Sequence, residues 1–79
     1  MKKSIEGNSI EMTRVESNLF YYVGYNEEKR LLLIETCRGP ALIYIEVPKS
    51  VFDGLMSATA IDDYFNENIR YTYKERRVN

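Results

Sequence analysis

Three short apolar runs occupy the first half of the chain, each bounded by polar or turn-forming residues. The runs span 19–25, 31–37 and 41–47. Their shortness and their aromatic and β-branched residues favour strands, and the polar stretch 26–29 suits a hairpin loop. Glycine and proline in Arg38-Gly39-Pro40 supply the next turn. The pattern predicts an antiparallel meander of three strands, to which the weak alternation over 11–16 adds a fourth at an edge.

Alternation along the third run assigns its residues to two faces of the sheet. Ala41, Ile43, Ile45 and Val47 fall on one face, and Leu42, Tyr44 and Glu46 fall on the other. The aromatic residues Phe20, Tyr22 and Tyr44 either share one surface of the sheet or divide between the core and the exterior, and two roles are open for them. They form either exposed stacking platforms for bases or a cross-strand ladder that closes a small core. The ladder is favoured, because a domain of this size needs large apolar side chains to fold.

The second half of the chain changes to helical spacing. Its first apolar stripe is Val51, Phe52 and Leu55, and its second is Ile61, Tyr64, Phe65 and Ile69. Pro48 suits the first turn of one helix, Thr59 is expected to cap the other, and the acidic pair 62–63 suits a helix N-terminus. Gly54 weakens the first helix by about 1 kcal/mol relative to alanine, so packing has to hold it.

Strands followed by helices predict the α+β class. We expect a three- to four-stranded antiparallel β-meander, then two short α-helices packed on one face, then a basic C-terminal tail. The 79 residues predict a single domain over 11–79 with a flexible N-terminal arm over 1–10. No apolar run approaches the roughly 20 residues of a membrane span, and no signal-peptide core is found. The single cysteine, Cys37, is expected to be a structural thiol in a reducing cytoplasm.

Charge is balanced over the whole chain but not at its end. Eleven basic and twelve acidic residues give a formal net charge of -1, which argues neither for nor against a nucleic-acid partner. Near the C-terminus four basic residues face only Glu75: Arg70, Lys74, Arg76 and Arg77. Tyr71 and Tyr73 are interleaved with them. The mixture is typical of a nucleic-acid contact and equally of a solvated terminal strand, and the sequence leaves both open.

Asn66 and Arg70 are four residues apart and therefore share one side of the second predicted helix. Structural use of the pair is favoured, because asparagine and arginine commonly satisfy backbone groups or hold a tail across a helix. Contact between Arg70 and an external phosphate is the alternative.

The sequence offers little for catalysis. It contains no histidine, so the commonest general base and zinc ligand is absent. The acidic pairs 27–28 and 62–63 are adjacent in sequence, and neighbouring side chains on a helix or strand diverge. We therefore expect a protein that is not an enzyme and has neither a cofactor nor a bound metal.

Several short motifs occur together along the chain. They are Ser17-Asn18-Leu19, Val23-Gly24-Tyr25, Arg38-Gly39, Tyr44, Glu46-Val47-Pro48, Val51-Phe52, Leu55, the run from Tyr64 to Arg70, Tyr73 and Arg77. In these motifs the chain resembles, from Val15 to Val78, the KTSC domain. That module is named for the C-terminus of some lysyl-tRNA synthetases and is also found alone in bacterial and phage proteins. The resemblance implies a stand-alone domain of this family, for which RNA binding has been suggested.

The leading functional hypothesis is a non-enzymatic module that binds RNA or another phosphate-bearing ligand. The candidate ligand-binding residues are Tyr44, Asn66, Arg70, Tyr71, Tyr73, Lys74, Arg76 and Arg77. The alternative is a protein–protein interaction module: a homodimer, an adaptor or a phage-type inhibitor of a host factor. Seven tyrosines motivate it, since tyrosine is enriched at interaction hot spots. Salt dependence distinguishes the two hypotheses, because the affinity for nucleic acid falls steeply as salt rises and the affinity of an apolar interface does not.

Overall fold

The computed structural model describes residues 2–5 and 7–78, which form six strands and two helices. The strands are β1 Lys2–Ile5, β2 Asn8–Arg14, β3 Phe20–Asn26, β4 Leu31–Thr36, β5 Ala41–Tyr44 and β6 Glu75–Val78. The helices are α1 Lys49–Ser57 and α2 Ile61–Asn68. Within the described residues, neither helix has the length and apolar character needed to span a membrane. The predicted α+β class is confirmed.

The strands form one antiparallel sheet in the order β1-β2-β3-β4-β5-β6. Both helices are inserted between β5 and β6. The prediction of three to four strands was therefore too low. The segment expected as a basic tail supplies the last strand, because β6 pairs with β5 from Ala41–Val78 to Tyr44–Glu75.

The sheet carries an apolar layer on each face. The helix-side layer, beneath α1 and α2, contains Phe20, Val23, Leu32, Ile34, Tyr44, Val47, Leu55, Phe65 and Ile69. The hairpin-side layer, on the opposite face, contains Ile5, Ile10, Met12, Leu31, Leu33 and Ile43. β4 lies between the two layers, which is why it is buried at every position from Leu31 to Ile34. The two helices pack on one face, as predicted.

The β1–β2 hairpin covers the face of the sheet that the helices leave open. Ile5 and Ile10 are buried there, with 5% and 1% of their surface exposed. Lys3 of β1 forms an ion pair with Glu35 of β4. The hairpin is thus fixed to the central sheet by apolar contacts and by charge.

The hairpin occupies the region predicted as a flexible arm, residues 1–10. Residues 2–5 form β1 and residues 8–10 begin β2, whereas Met1 and Glu6 lie outside the described residues. The sequence pattern did not indicate these strands, because the segment is mostly polar. Only a few apolar side chains, Ile5 and Ile10, are buried against the sheet.

The hairpin approaches β3 closely at Gly24. A β-carbon at this position would lie 2.6 Å from Cγ2 of Ile10 and 2.9 Å from the backbone oxygen of Glu11. Both distances are shorter than van der Waals contact. Glycine at this position therefore lets β2 lie close against β3.

Strand alternation ends at Glu46, which has φ 59°. This left-handed conformation turns the chain, so Val47 lies in the helix-side layer and not on the face of Ile43 and Ile45. The predicted face of Val47 was wrong for this reason. The Val47 N–H donates to the carbonyl of Arg30 at 3.0 Å, which joins the end of β5 to the β3–β4 turn.

The first turn of α2 is held differently from the sequence prediction. Ala60, not Thr59, occupies the N-cap, and it makes no side-chain capping bond. Asp62 in the first turn accepts hydrogen bonds from the hydroxyl of Ser17 and, at 3.1 Å, from the N–H of Asn18. These bonds fix the start of α2 to the loop before β3, so the helix begins one residue later than a Thr59 cap requires.

Candidate functional site

A cleft of about 250 Å³ opens between the helix-side face of the sheet, the end of α2 and β6. It is lined by Leu19, Phe20, Ile34, Thr36, Pro40, Leu42, Tyr44, Phe65, Arg70, Glu75 and Arg77. Its floor belongs to the helix-side layer, and its rim carries the exposed charged side chains Arg70, Glu75 and Arg77. An apolar hollow with a few convergent polar groups is the usual form of a binding site.

The register of β5 and β6 brings the rim residues of β6 to the cleft. Tyr44 lies opposite Glu75, and Leu42 lies opposite Arg77. Strand alternation puts these side chains on the helix-side face and sends Arg76, opposite Ile43, to the other face. The adjacent residues Arg76 and Arg77 are therefore separated by the sheet.

Tyr44 lies in the floor of the cleft, and its ring is part of the core. It is 0% exposed, and its ring packs edge-on against Phe65, with the ring centres 5.7 Å apart and the planes at 80°. Its hydroxyl donates to Oε2 of Glu75 at 2.7 Å. The ring is thus closed to a base that would stack on it.

The ionisation of Tyr44 is strongly suppressed. Burial is the main cause that raises the pKa of Tyr44 above its ordinary value, and the hydrogen bond to Glu75 and the charge of Glu75 add to it. Arg70 acts in the opposite direction. The hydroxyl therefore keeps its proton to a higher pH than an ordinary tyrosine does, and its hydrogen bond holds Glu75 in place on the rim.

Arg70 reaches the cleft from the turn after α2. Its N–H and that of Ile69 both donate to the carbonyl of Phe65 at 3.0 Å, which ends the helix. Its Nη1 donates to Oδ1 of Asn66 at 3.2 Å, and the two residues lie on the same side, as their spacing predicted. The Arg70 guanidinium carbon also lies 5.6 Å from the ring centre of Tyr71. Both neighbours orient the guanidinium while they leave it exposed.

Tyr71 lies beside the cleft, and three other predicted site residues lie away from it. Tyr71 is 86% exposed and in contact with Arg70. Tyr73 is half-buried against the helix-side layer, and Lys74 is exposed at a second hollow shared with Thr72 and Tyr73. Arg76 is exposed on the opposite face of β6. The structure therefore gathers only part of the predicted set, namely Tyr44, Arg70 and Arg77, with Asn66 and Tyr71 in contact with Arg70.

Two polar residues of the cleft were absent from the predicted site. Thr36, at the end of β4, lines it next to Pro40, whose carbonyl accepts the Thr36 hydroxyl at 3.0 Å. Glu75 lies on the rim beside Arg77. The spacing of two between Glu75 and Arg77, which places both on one face of a strand, is the signal that could have found Glu75.

The predicted aromatic set divides between the two faces of the sheet. Phe20 and Tyr44 both pack against Phe65, and the ring centres of Phe20 and Phe65 are 5.2 Å apart. Tyr22 packs against the hairpin-side layer. For Phe20 and Tyr44 the core interpretation is confirmed, since both are buried.

The remaining reactive group singled out in the sequence is the thiol of Cys37. This residue follows β4, is half-buried, and donates its N–H to the carbonyl of Leu19 at 3.1 Å. It therefore lies at the end of a strand. Among residues 2–5 and 7–78, no group of three or more His, Cys, Asp or Glu side chains could hold a metal ion.

Comparison with known proteins covers most of the domain. A family model, the KTSC domain, matches residues 16–73. A protein of Tsukamurella paurometabola, named only "Protein", is 29% identical over 63 residues, which are 80% of this chain and 94% of the relative. The crystal structure of a KTSC domain protein from Yersinia pestis has a TM-score of 0.85 at 23% identity, and the match covers 89% of this chain and 99% of the other. This likeness shows that the fold is shared.

The matched residues 16–73 contain Tyr44, both helices and Arg70. They end before β6, so Glu75 and Arg77 lie outside the family match. The floor of the cleft therefore lies within the matched region, whereas the β6 part of its rim is supplied by residues beyond it.

Proposed function

This chain belongs to the KTSC domain family, and we propose that it is a non-enzymatic module that binds RNA or another phosphate-bearing ligand. The observation that carries the proposal is the convergence of Arg70 and Arg77 on the rim of one cleft. Guanidinium groups bind phosphate oxygens through two parallel hydrogen bonds, which makes arginine the preferred residue for this contact. We place the protein in a reducing cytoplasm, since Cys37 is a free thiol and such compartments keep thiols reduced.

An exposed aromatic ring beside the arginines supports RNA over a bare phosphate. Tyr71 is 86% exposed and lies against the Arg70 guanidinium. An exposed ring stacks on bases of any sequence, and such stacking accompanies arginine–phosphate contacts in single-strand binders. Phosphates bound at the rim would therefore bring a neighbouring base within reach of Tyr71.

The charges of β6 support a ligand that runs along the edge of the sheet. Arg76 and Arg77 are exposed on opposite faces of this strand, and Lys74 precedes it. β6 is the last strand in the sheet order. A polyanion that follows this edge of the sheet therefore meets cations on both faces of β6. Glu75 is the single acidic residue in this segment.

Fluorescence anisotropy with labelled tRNA, single-stranded RNA and duplex DNA, at low and at physiological salt, tests the proposal. We expect RNA binding that weakens as salt rises, because cationic contacts release counterions from the phosphates. Arg70→Glu combined with Arg77→Glu should weaken RNA binding by about tenfold or more and lower the salt slope by roughly two units.

The matched control is Lys29→Glu combined with Arg30→Glu, which reverses the same number of exposed charges in the β3–β4 turn. That turn is at the opposite end of β4 from Thr36 and the cleft. Unchanged RNA binding in the Arg70 and Arg77 variant, or equal losses in both variants, would contradict the proposed site. Absence of RNA binding by the parent protein at low salt would contradict an RNA ligand.

A protein–protein module is the second candidate, and the edge position of β6 favours it. In the described chain β6 has β5 on one side and no strand on the other, so an extended partner segment can add its backbone hydrogen bonds there. Binding that persists at high salt, with a partner bound through backbone contacts, distinguishes this candidate from RNA.

A further inference from the structure

Glu75 gives the cleft rim a hydrogen-bond acceptor of fixed orientation. Its Oε2 accepts the Tyr44 hydroxyl at 2.7 Å, and the proton of that hydroxyl is therefore used within the protein. What the pair offers to a ligand is the carboxylate itself, which only accepts hydrogen bonds. A ligand group next to Glu75 must therefore donate.

The rim thus combines one acceptor with two donors. Arg70 and Arg77 only donate, and Glu75 only accepts. A simple phosphate or sulfate would be attracted by the arginines and repelled by Glu75. A ligand that carries an anionic group and an N–H edge satisfies all three side chains.

We propose that the cleft binds a guanine nucleotide, whose base donates to Glu75 while Arg70 and Arg77 contact its acceptors. This assignment rests on the proposed phosphate-binding function and names the ligand of the same site. Guanine presents two adjacent donors on its Watson–Crick edge, N1–H and the N2 amino group, which match the two oxygens of a carboxylate. Its O6, N7 and phosphate accept hydrogen bonds, and arginine is their common partner.

The other bases fit the acceptor less well. Adenine and cytosine each place an amino donor next to a ring nitrogen that is an acceptor. The lone pair of that nitrogen would be repelled by the lone pairs of the carboxylate. Uracil has a single N–H between two carbonyl oxygens. The order of affinity expected from these edges is guanine first, adenine and cytosine next, and uracil last.

The size of the cleft suits one base. A volume of about 250 Å³ lies below the 300–1,000 Å³ typical of sites for drug-sized ligands. Leu19, Pro40 and Leu42 are half-buried on its walls, so a flat ring placed there covers apolar surface. The remainder of a longer RNA would lie outside, along Tyr71 and β6.

The experiment measures binding of short oligouridines that carry guanine, adenine, cytosine or uracil at the central position. We expect the guanine oligonucleotide to bind about tenfold tighter than the uracil one, as for a bidentate base contact. Glu75→Gln removes the carboxylate while it keeps the side-chain shape, and it should bring the guanine-to-uracil affinity ratio close to one. Tyr44→Phe should lower the same ratio, because Glu75 loses the bond that orients it.

Glu28→Gln is the matched control, since Glu28 is exposed in the β3–β4 turn away from the cleft. It should leave the ratio unchanged. A parallel NMR titration with GMP, AMP, CMP and UMP separates a free nucleotide from a base within RNA, and circular dichroism confirms that each variant is folded.

The outcomes separate this inference from the proposed function. RNA binding that depends on Arg70 and Arg77 but shows no base preference overturns the guanine assignment alone. Preferred binding of GMP without RNA binding retains the assignment and identifies a free nucleotide as the ligand. Absence of binding to RNA and to all four mononucleotides overturns both.

Discussion

Tyr44 belongs to the helix-side layer and Tyr25 packs against it. Each places its ring in apolar surroundings and its hydroxyl on a fixed acceptor. The Tyr25 hydroxyl donates to the carbonyl of Val47 at 2.6 Å, and its ring stacks on Phe52 with the centres 4.9 Å apart. Tyr44 donates to Glu75. Among the described residues no buried side-chain nitrogen or oxygen lacks a partner. Each hydroxyl thus contributes to stability through a bond that is costly to leave unmade.

Replacing Tyr44 by phenylalanine should lower the free energy of unfolding by about 1 kcal/mol at neutral pH, the usual contribution of one hydrogen bond. The difference in unfolding free energy between the parent protein and the phenylalanine variant should shrink at alkaline pH. Because the pKa of Tyr44 is raised in the folded protein, the unfolded chain releases this proton above about pH 10 while the folded protein retains it. The parent protein therefore loses stability there, and the phenylalanine variant lacks this loss.

Urea unfolding of the two proteins, at neutral pH and in steps above about pH 10, measures the difference. Tyr71→Phe is the control, because it removes the hydroxyl of a tyrosine that is 86% exposed and should leave the stability at neutral pH as it is in the parent protein. A stability difference between the parent and the Tyr44 variant that is the same at all these pH values would show that the raised pKa of Tyr44 is not linked to folding.

Helices α1 and α2 pack against each other through Gly54 and Tyr64. A β-carbon on Gly54 would overlap the phenol oxygen of Tyr64 and would lie 2.7 Å from its Cζ. The glycine that weakens α1 in isolation is therefore what lets the ring of α2 approach its backbone. This contact helps to set the position of α2, and with it that of Phe65 in the cleft floor.

Two physical effects of opposite sign act on Gly54→Ala, and the structure decides between them. Helix propensity alone would stabilise the protein by about 1 kcal/mol. Overpacking against Tyr64 should outweigh this and destabilise it by about 1–3 kcal/mol. A double-mutant cycle with Tyr64→Ala tests the reason, since Gly54→Ala should become neutral or stabilising once the ring is removed. Thermal unfolding that shows Gly54→Ala to be stabilising in the parent background would refute the close contact.

The sheet is covered on both faces. The helices cover one face, and the β1–β2 hairpin, which precedes the residues matched by the family model, covers the other. The KTSC model begins at residue 16, yet Ile5, Ile10 and Met12 of the hairpin are buried against Leu33 and Ile43. A domain of this size buries a limited fraction of its surface, so the second layer is a large part of its core. The hairpin is thus an integral part of the folded molecule.

Truncation of Ile10 to alanine should therefore destabilise the whole domain by about 2–4 kcal/mol, because a buried side chain is removed and a cavity is left. Chemical denaturation followed by tyrosine fluorescence measures the loss. Ser9→Ala, at the exposed neighbouring position in β2, should change stability by a few tenths of a kcal/mol at most. Equal stability of the Ile10 variant and the parent protein would instead support a loose arm.

The sequence by itself determined the elements whose apolar residues follow a clear period. Short apolar runs separated by the polar stretch 26–29 and by Gly39-Pro40 specify β3, β4 and β5, because alternation and turn chemistry are local properties. Helical spacing specifies α1 and α2 in the same way. The basic cluster near the C-terminus was also visible, since charge is read directly from composition.

The tertiary structure alone decided which residues meet. β1 and β6 are largely polar and showed no local period, and β2 showed only the weak alternation over 11–16. Pairing with a covered sheet makes them strands. The register of β5 and β6 joins Tyr44 to Glu75 across 31 residues and separates Arg76 from Arg77. The left-handed Glu46 carries Val47 to the other layer. Each of these outcomes depends on long-range packing and backbone pairing, which a one-dimensional pattern does not contain.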